Sequence, residues 1–191
     1  MAVDTWTRYQ LRRQLFSIGE DFWIENERGE AVYKVDGKVL RIRETFVLED
    51  RTGTELATIE AKLIAIRPTM TIERGGQTYA SVKKALFTLI RQHFTIEVAS
   101  GQVYEAQGDI LNHEYEITAG GAVAATISKR WFTIRETYGI AIAPGQDEVL
   151  MLCAAVCIDE MSEEHRDKQP YRFPDVPTYL PASGEGLLRT A

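Results

Sequence analysis

The chain has 191 residues, 45% of them hydrophobic, a composition that suits one globular domain with a sizeable core. No apolar run reaches the ~18 residues of a membrane-spanning helix, and the opening MAVDTWTRYQ lacks the charged and apolar regions of a secretory leader, so the expectation is a soluble, cytoplasmic protein. The net charge of −6 is uneven: residues 1–145 hold 18 Lys+Arg against 19 Asp+Glu, and residues 146–191 hold 4 against 9. That balance argues against a nucleic-acid partner, which wants a basic face with stacking aromatics.

In chain order the first feature is TRYQLRR at residues 7–13, a short lead-in strand. From residue 14 a unit recurs: QLFSIGEDFWIENERGEAVYKVDG (14–37), KVLRIRETFVLEDRTGTELATIEA (38–61), KLIAIRPTMTIERGGQTYASVK (62–83), KALFTLIRQHFTIEVASGQVYEAQG (84–108), DILNHEYEITAGGAVAATIS (109–128) and the shortened KRWFTIRETYGIAIAPG (129–145). Each copy opens on a short apolar strand and bends at polar residues. It continues in an alternating strand such as FWIE, FVLE, MTIE or FTIE, turns at glycine, and closes on a β-branched strand. Alternation punctuated by glycine turns is the mark of hairpins. The closing strand of one copy is expected to run on, with a bend at the Gly of KVDGKV, into the opening strand of the next, so each copy supplies two ladder positions. Residues 7–13 replace the strand missing from the shortened sixth copy. The result is twelve strands in up-and-down order, a meander that can close on itself and leave no edge.

Period-two alternation sorts the faces. Phe22/Ile24, Phe46/Leu48, Met70/Ile72, Phe94/Ile96, Tyr115/Ile117 and Tyr138/Ile140 share one side, and Glu25, Glu49, Glu73 and Glu97 share the other. The aromatic and aliphatic side must face inward. A barrel of about eight strands is already filled by its own side chains, so twelve leave a lumen that needs an apolar plug. The segment DEVLMLCAAVCIDEM (147–161) fits that need: it is apolar all round, as a helix enclosed on every side should be, and Ala154, Ala155 and the two cysteines keep it slim. Pro144 and Gly145 punctuate its start, and Asp147 and Glu148 suit its positive N-terminal end. His165, Arg166 and Lys168 with Pro170 suit its stop, giving a central helix over about 147–165 within one domain spanning 1–165. The Pro-rich residues 166–191 read as a loosely ordered tail.

Cys153 and Cys157 lie four apart on that helix, a spacing that disfavours a disulfide, and no second ligand pair suggests zinc; they read as small buried apolar residues. There is no P-loop, GxSxG or HExxH, and His93, His113 and His165 fall singly, so no catalytic residue, metal or cofactor is expected. Hairpin turns account for the Gly pairs at 75–76 and 120–121. One arrangement stands apart. Arg43, Arg67, Arg91 and Arg135 fall at or beside the polar bend in four copies, and equivalent bends of an up-and-down barrel share one rim. Such a ring can hold an anionic lipid headgroup or another anion. Alternatively, the helix returns its acidic C-terminal end (Asp159, Glu160, Glu163, Glu164) toward the same rim, and the arginines pair with it and with Glu44 and Glu136. Both readings stand at this point.

A twelve-stranded barrel skewered by a C-terminal apolar helix resembles the tubby-like architecture of tubby proteins, phospholipid scramblases and the LURP-one-related family. QLFSIGEDFWIENERGEAVYKVDGKV, ISKRWFTIRETYGIAI and the apolar helix closed by DE look most like bacterial LURP-one-related proteins, over roughly residues 8–165. The resemblance implies the fold and a non-enzymatic binding or scaffold role in the cytoplasm, with peripheral contact to anionic phospholipid or phosphoinositide. Scramblase-type lipid handling and an enzyme without familiar motifs are the alternatives. The calcium-binding acidic loop and palmitoylated cysteine cluster of scramblases have no counterpart here: only IAIAPGQDE precedes the helix.

Overall fold

The computed structural model describes residues 5–12, 22–40, 43–86, 91–109, 114–128 and 137–167. Twelve strands and one helix follow in order: β1 (Thr7–Arg12), β2 (Phe22–Asn26), β3 (Ala31–Leu40), β4 (Arg43–Asp50), β5 (Glu55–Ala61), β6 (Thr69–Arg74) and β7 (Gln77–Lys84). Then come β8 (Gln92–Val98), β9 (Val103–Asp109), β10 (Glu114–Ala119), β11 (Ala122–Ser128), β12 (Thr137–Ile142) and α1 (Glu148–Asp167). Each strand pairs antiparallel with its sequence neighbour, and β1 closes the ring on β12 from Thr7↔Ile142 to Arg12↔Thr137. The lead-in strand thus supplies the missing position, and every edge is paired.

The repeat dictates the ladder. Residues 31–40 form one unbroken strand through Asp36 and Gly37, as the run-on from one copy to the next requires. Short turns gather at one end of the barrel: Gly75 and Gly76, at φ 57° and 74°, make the two-residue hairpin loop that only such dihedrals allow. The same inward-to-outward step carries a register shift in four copies, at Ile24/Glu25, Leu48/Glu49, Ile72/Glu73 and Ile117/Thr118. Bulges there add the twist that a closing sheet needs. At Gly108 the chain passes so close to β10 that a Cβ would sit 2.0 Å from the Glu114 carbonyl oxygen.

One expected strand is absent. KLIAI at the opening of the third copy continues no ladder: β5 stops at Ala61, and residues 62–68 form a loop on the rim opposite the short turns. Pro68 explains the break, since it has no N–H for a ladder and restricts Arg67 before it. The loop is nevertheless pinned at its base, where the Lys62 N–H donates to the Thr69 carbonyl at 2.9 Å and the Lys84 N–H to the Pro68 carbonyl at 3.0 Å. In the fourth copy β7 ends at Lys84, and residues 87–90, like most residues opening the first, fifth and sixth copies, lie outside the described residues.

The inward face is as the alternation demands. Ile24, Ile59, Ile72, Phe94, Ile96, Ile117 and Ile140 are fully buried, Phe46 partly so. The helix threads this lumen, packed on β5, β6, β7 and β12, and every residue from Leu150 to Asp159 is buried. It runs to Asp167, two residues past the expected 165, and the tail beyond lies outside the described residues. Both cysteines are free and enclosed. Burial pushes the Cys153 thiol up to about 12, with the Arg74 charge opposing, and Cys157 is raised well above its ordinary value by burial too. Native protein is therefore expected to resist a thiol reagent that modifies both residues after denaturation; rapid labelling of the native state would place the helix outside the wall.

Candidate functional site

The two mouths of the barrel differ in chemistry. At the short-turn mouth the helix start is clasped from the wall. Pro144 and Gly145, the latter at φ 78°, turn the chain after β12, and the Gln146 N–H donates to the Ala143 carbonyl at 3.3 Å. Asp147 then caps the helix, its Oδ1 accepting the Leu150 N–H at 3.0 Å. Arg74 grips the same carboxylate with both terminal nitrogens, at 2.8 and 2.7 Å, and stacks 4.0 Å over the Tyr79 ring. Three tyrosine hydroxyls from three strands hold three consecutive residues: Tyr104 donates to Gln146 at 3.2 Å, Tyr79 to Asp147 at 2.8 Å and Tyr9 to Glu148 at 2.7 Å. Partial burial pushes the Asp147 carboxyl up, but the Arg74 and Tyr79 hydrogen bonds, the Leu150 N–H and the Arg74 charge outweigh it and hold it below the usual range. This mouth is stoppered.

The opposite mouth carries the loop of residues 62–68 and receives the helix C-terminal end. Inside it sits a buried polar cluster that the apolar reading of the lumen did not include. Lys84, 3% exposed, donates from Nζ to the Met161 carbonyl at 2.5 Å and lies 5.8 Å from the centre of the Phe94 ring. The Ser162 hydroxyl lies 2.5 Å from the Ile158 carbonyl and 2.7 Å from Gln92 Oε1, two acceptors for its one proton, and the Tyr115 hydroxyl reaches both the Ser162 and Gln92 side chains. The buried ammonium thus bonds a helix carbonyl six residues before the helix ends at Asp167. Lys84, at the end of β7, is a cation on the helix that the expected arginine ring did not include.

Of that ring, Arg67 and Arg91 are brought to the long-loop rim on neighbouring connections, residues 62–68 and 85–91, tied by the Lys84–Pro68 bond. Arg91 is exposed and Arg67 half-buried, and neither makes an ion pair with another described residue. Arg43 opens β4 at the same rim, but its side chain, like those of Glu44, Glu163 and Glu164, lies outside the described residues, as do Arg135 and Glu136 entirely. Beside Arg67 the loop exposes Leu63, Ile64 and Ile66, and the next connection exposes Leu86. A cleft of about 330 Å³ lies under the loop, lined by Glu60, Lys62, Leu63, Ile64, Glu73 and Thr78 among others. His93 bonds Glu105 on the neighbouring strand, an ordinary wall contact, and His113 lies outside the described residues. Among the described residues no group of three or more His, Cys, Asp or Glu is placed to hold a metal ion, and no helix is long and apolar enough to cross a membrane.

The model of the LURP-one-related family matches residues 7–159, from the first strand to the middle of the helix. The chain belongs to the LURP-one-related family. Its barrel superposes on the crystal structure of an Arabidopsis thaliana protein with a TM-score of 0.62, covering 84% of this chain and 93% of that one at 17% identity, which is kinship of fold. The uncharacterized protein YxjI of Bacillus subtilis (strain 168) is 28% identical over 71 residues, 37% of this chain and 44% of that protein, so the match spans less than half of the relative's length. The architecture is the tubby-like one, a closed twelve-stranded antiparallel barrel around a C-terminal helix.

Proposed function

We propose that the protein is a non-enzymatic binding module whose long-loop rim engages the headgroups of anionic phospholipids, phosphoinositides included, through Arg67 and Arg91, with Arg43 and Arg135 in the same ring. One observation carries the reading: Arg67 and Arg91 stand on adjacent loops without an ion pair to any described residue, while the buried cation bonded to the helix, at the Met161 carbonyl, is Lys84. Guanidinium groups so placed present fork-shaped donors that match phosphate oxygens.

The test is flotation with vesicles of phosphatidylcholine containing phosphatidylserine or a phosphoinositide. Wild-type protein is expected to float at low salt and detach as salt rises, because exposed charges are screened within about 10 Å at 0.1 M. Each arginine near an anionic surface contributes about 1 kcal/mol, so Arg67→Ala with Arg91→Ala should weaken partition by about 30-fold. The melting temperature should not move. A double variant that melts early yet floats like wild type would instead make these arginines structural partners of the acidic helix end.

A further inference from the structure

The apolar run that fails to join the sheet is left where an oily segment is least expected. Leu63 is 59% exposed, Ile64 97% and Ile66 96%, and Leu86 on the adjoining connection is 52% exposed. Single exposed apolar residues are ordinary, but four on two neighbouring loops of one rim form a patch that asks for a partner. The patch is also framed. Lys62 and Arg67 bracket the loop and Arg91 follows Leu86 on the next, while the nearby carboxylates Glu60 and Glu73 line the cleft beneath the loop on the outer wall and not its tip.

We propose that residues 62–68, with Leu86, form a wedge that enters the headgroup and upper acyl region of an anionic bilayer, with Lys62, Arg67 and Arg91 resting on the phosphates around it. The inference rests on the anionic-lipid reading and adds to it that the ligand is an assembled bilayer surface, not a free headgroup. Three features favour this occupant over a second copy of the chain. Isoleucine and leucine side chains gain by leaving water for hydrocarbon whatever their geometry, whereas a protein partner must match a loop that stands off the wall over a cleft. Cations ringing the patch complement a phosphate surface and repel the same ring on another copy. Lysine and arginine also carry aliphatic stems that lie along an apolar boundary while their charges stay in water. The base of the loop is fixed by the two backbone bonds of Lys62 and Lys84, so the tip is presented at one place on the rim.

Two measurements test it. With Cys153 and Cys157 enclosed, Ile64→Cys gives one reactive thiol for an environment-sensitive fluorophore. On adding phosphatidylcholine–phosphatidylserine vesicles the probe is expected to brighten and shift to the blue, and to be quenched by a quencher carried on the upper acyl chain; soluble glycerophosphoserine should cause neither change. In parallel, Ile64→Ser with Ile66→Ser should reduce vesicle partition by about 100-fold, in line with the usual gain from removing an apolar side chain from water, at unchanged melting temperature. If wild type floats but the double serine variant floats equally and the probe stays in water, the wedge is wrong and headgroup binding stands. If wild type does not float at all, both fail. A doubling of mass in solution that the double serine variant abolishes, without any response to vesicles, would assign the patch to self-association and overturn the proposal.

Discussion

Replacing Ala154 by tryptophan is expected to leave no native barrel. Ala154 is wholly enclosed, on a helix whose every residue from Leu150 to Asp159 is buried, inside a wall whose twelve strands are all paired on both sides. An open sheet can splay to admit a larger side chain, but a closed ladder can widen only by breaking hydrogen bonds or shearing its register. Overpacking an ordinary core costs about 1–3 kcal/mol and sometimes more, and a domain is stable by only about 5–15 kcal/mol. The indole has nowhere to relax, so the larger cost applies. The checks are soluble yield, gel filtration and the circular dichroism of thermal melting, with Ala154→Ser as a small control expected to melt within a few degrees of wild type. A tryptophan variant that melts with wild type would mean the helix is not confined.

That expectation came from the sequence, because the repeat and the helix are global patterns. Six copies of one alternating unit fix the strand number, and the all-round apolar character of residues 149–158 fixes where the helix must go. Inward residues such as Ile24, Ile72 and Ile117 follow from period-two alternation, which a one-residue slip would reverse along a whole strand. The failure at KLIAI has a local cause. Its composition is that of a strand, and the extended run-on between copies suggested one, but Pro68 breaks the ladder and the tip stays in solvent. The proline was the signal, outweighed by the repeat.

The site was less legible than the fold. Topology correctly placed Arg67 and Arg91 at the rim that receives the helix end, since strand direction alternates and the helix must return. Alternation does separate the two lysines at the end of β7, since Lys84 shares the parity of buried Ala80 and Val82 while Lys83 faces out and pairs with Glu97, but which helix atom the inward lysine meets depends on side-chain reach across the lumen. Charge counting treats the two lysines alike. The inward one is buried and bonded to a carbonyl, and the outward one is part of a solvated pair, so their contributions to function and stability differ in kind.

The clasp at the other mouth is the second place where one substitution should matter greatly. Asp147→Ala removes the helix cap and leaves Arg74, held beneath its own stacked Tyr79, without its bidentate partner. Losing a cap costs about 0.5–2 kcal/mol, and stranding one member of a fully buried ion pair about 3–5 kcal/mol. With both side chains more than a quarter exposed, the sum should fall near 2–4 kcal/mol, since solvent screens part of the pair. Arg74→Met should cost less, because Asp147 keeps the Leu150 N–H and the Tyr79 hydroxyl. Combining Arg74→Met with Asp147→Ala should cost clearly less than the two separate losses, as it does for groups that act on each other. Acid provides an independent readout. The Asp147 carboxyl is held below its ordinary value in the folded chain, so its stabilisation is fully present above the unfolded pKa of about 3.9 and is lost as pH falls through the lower folded value. Wild type should therefore lose melting temperature more steeply than Asp147→Asn as pH falls below about 4, because the variant has no proton to gain at that site. Parallel acid profiles for the two proteins, or strictly additive losses in the double variant, would remove Asp147 and Arg74 as the pair that fastens the helix into the barrel.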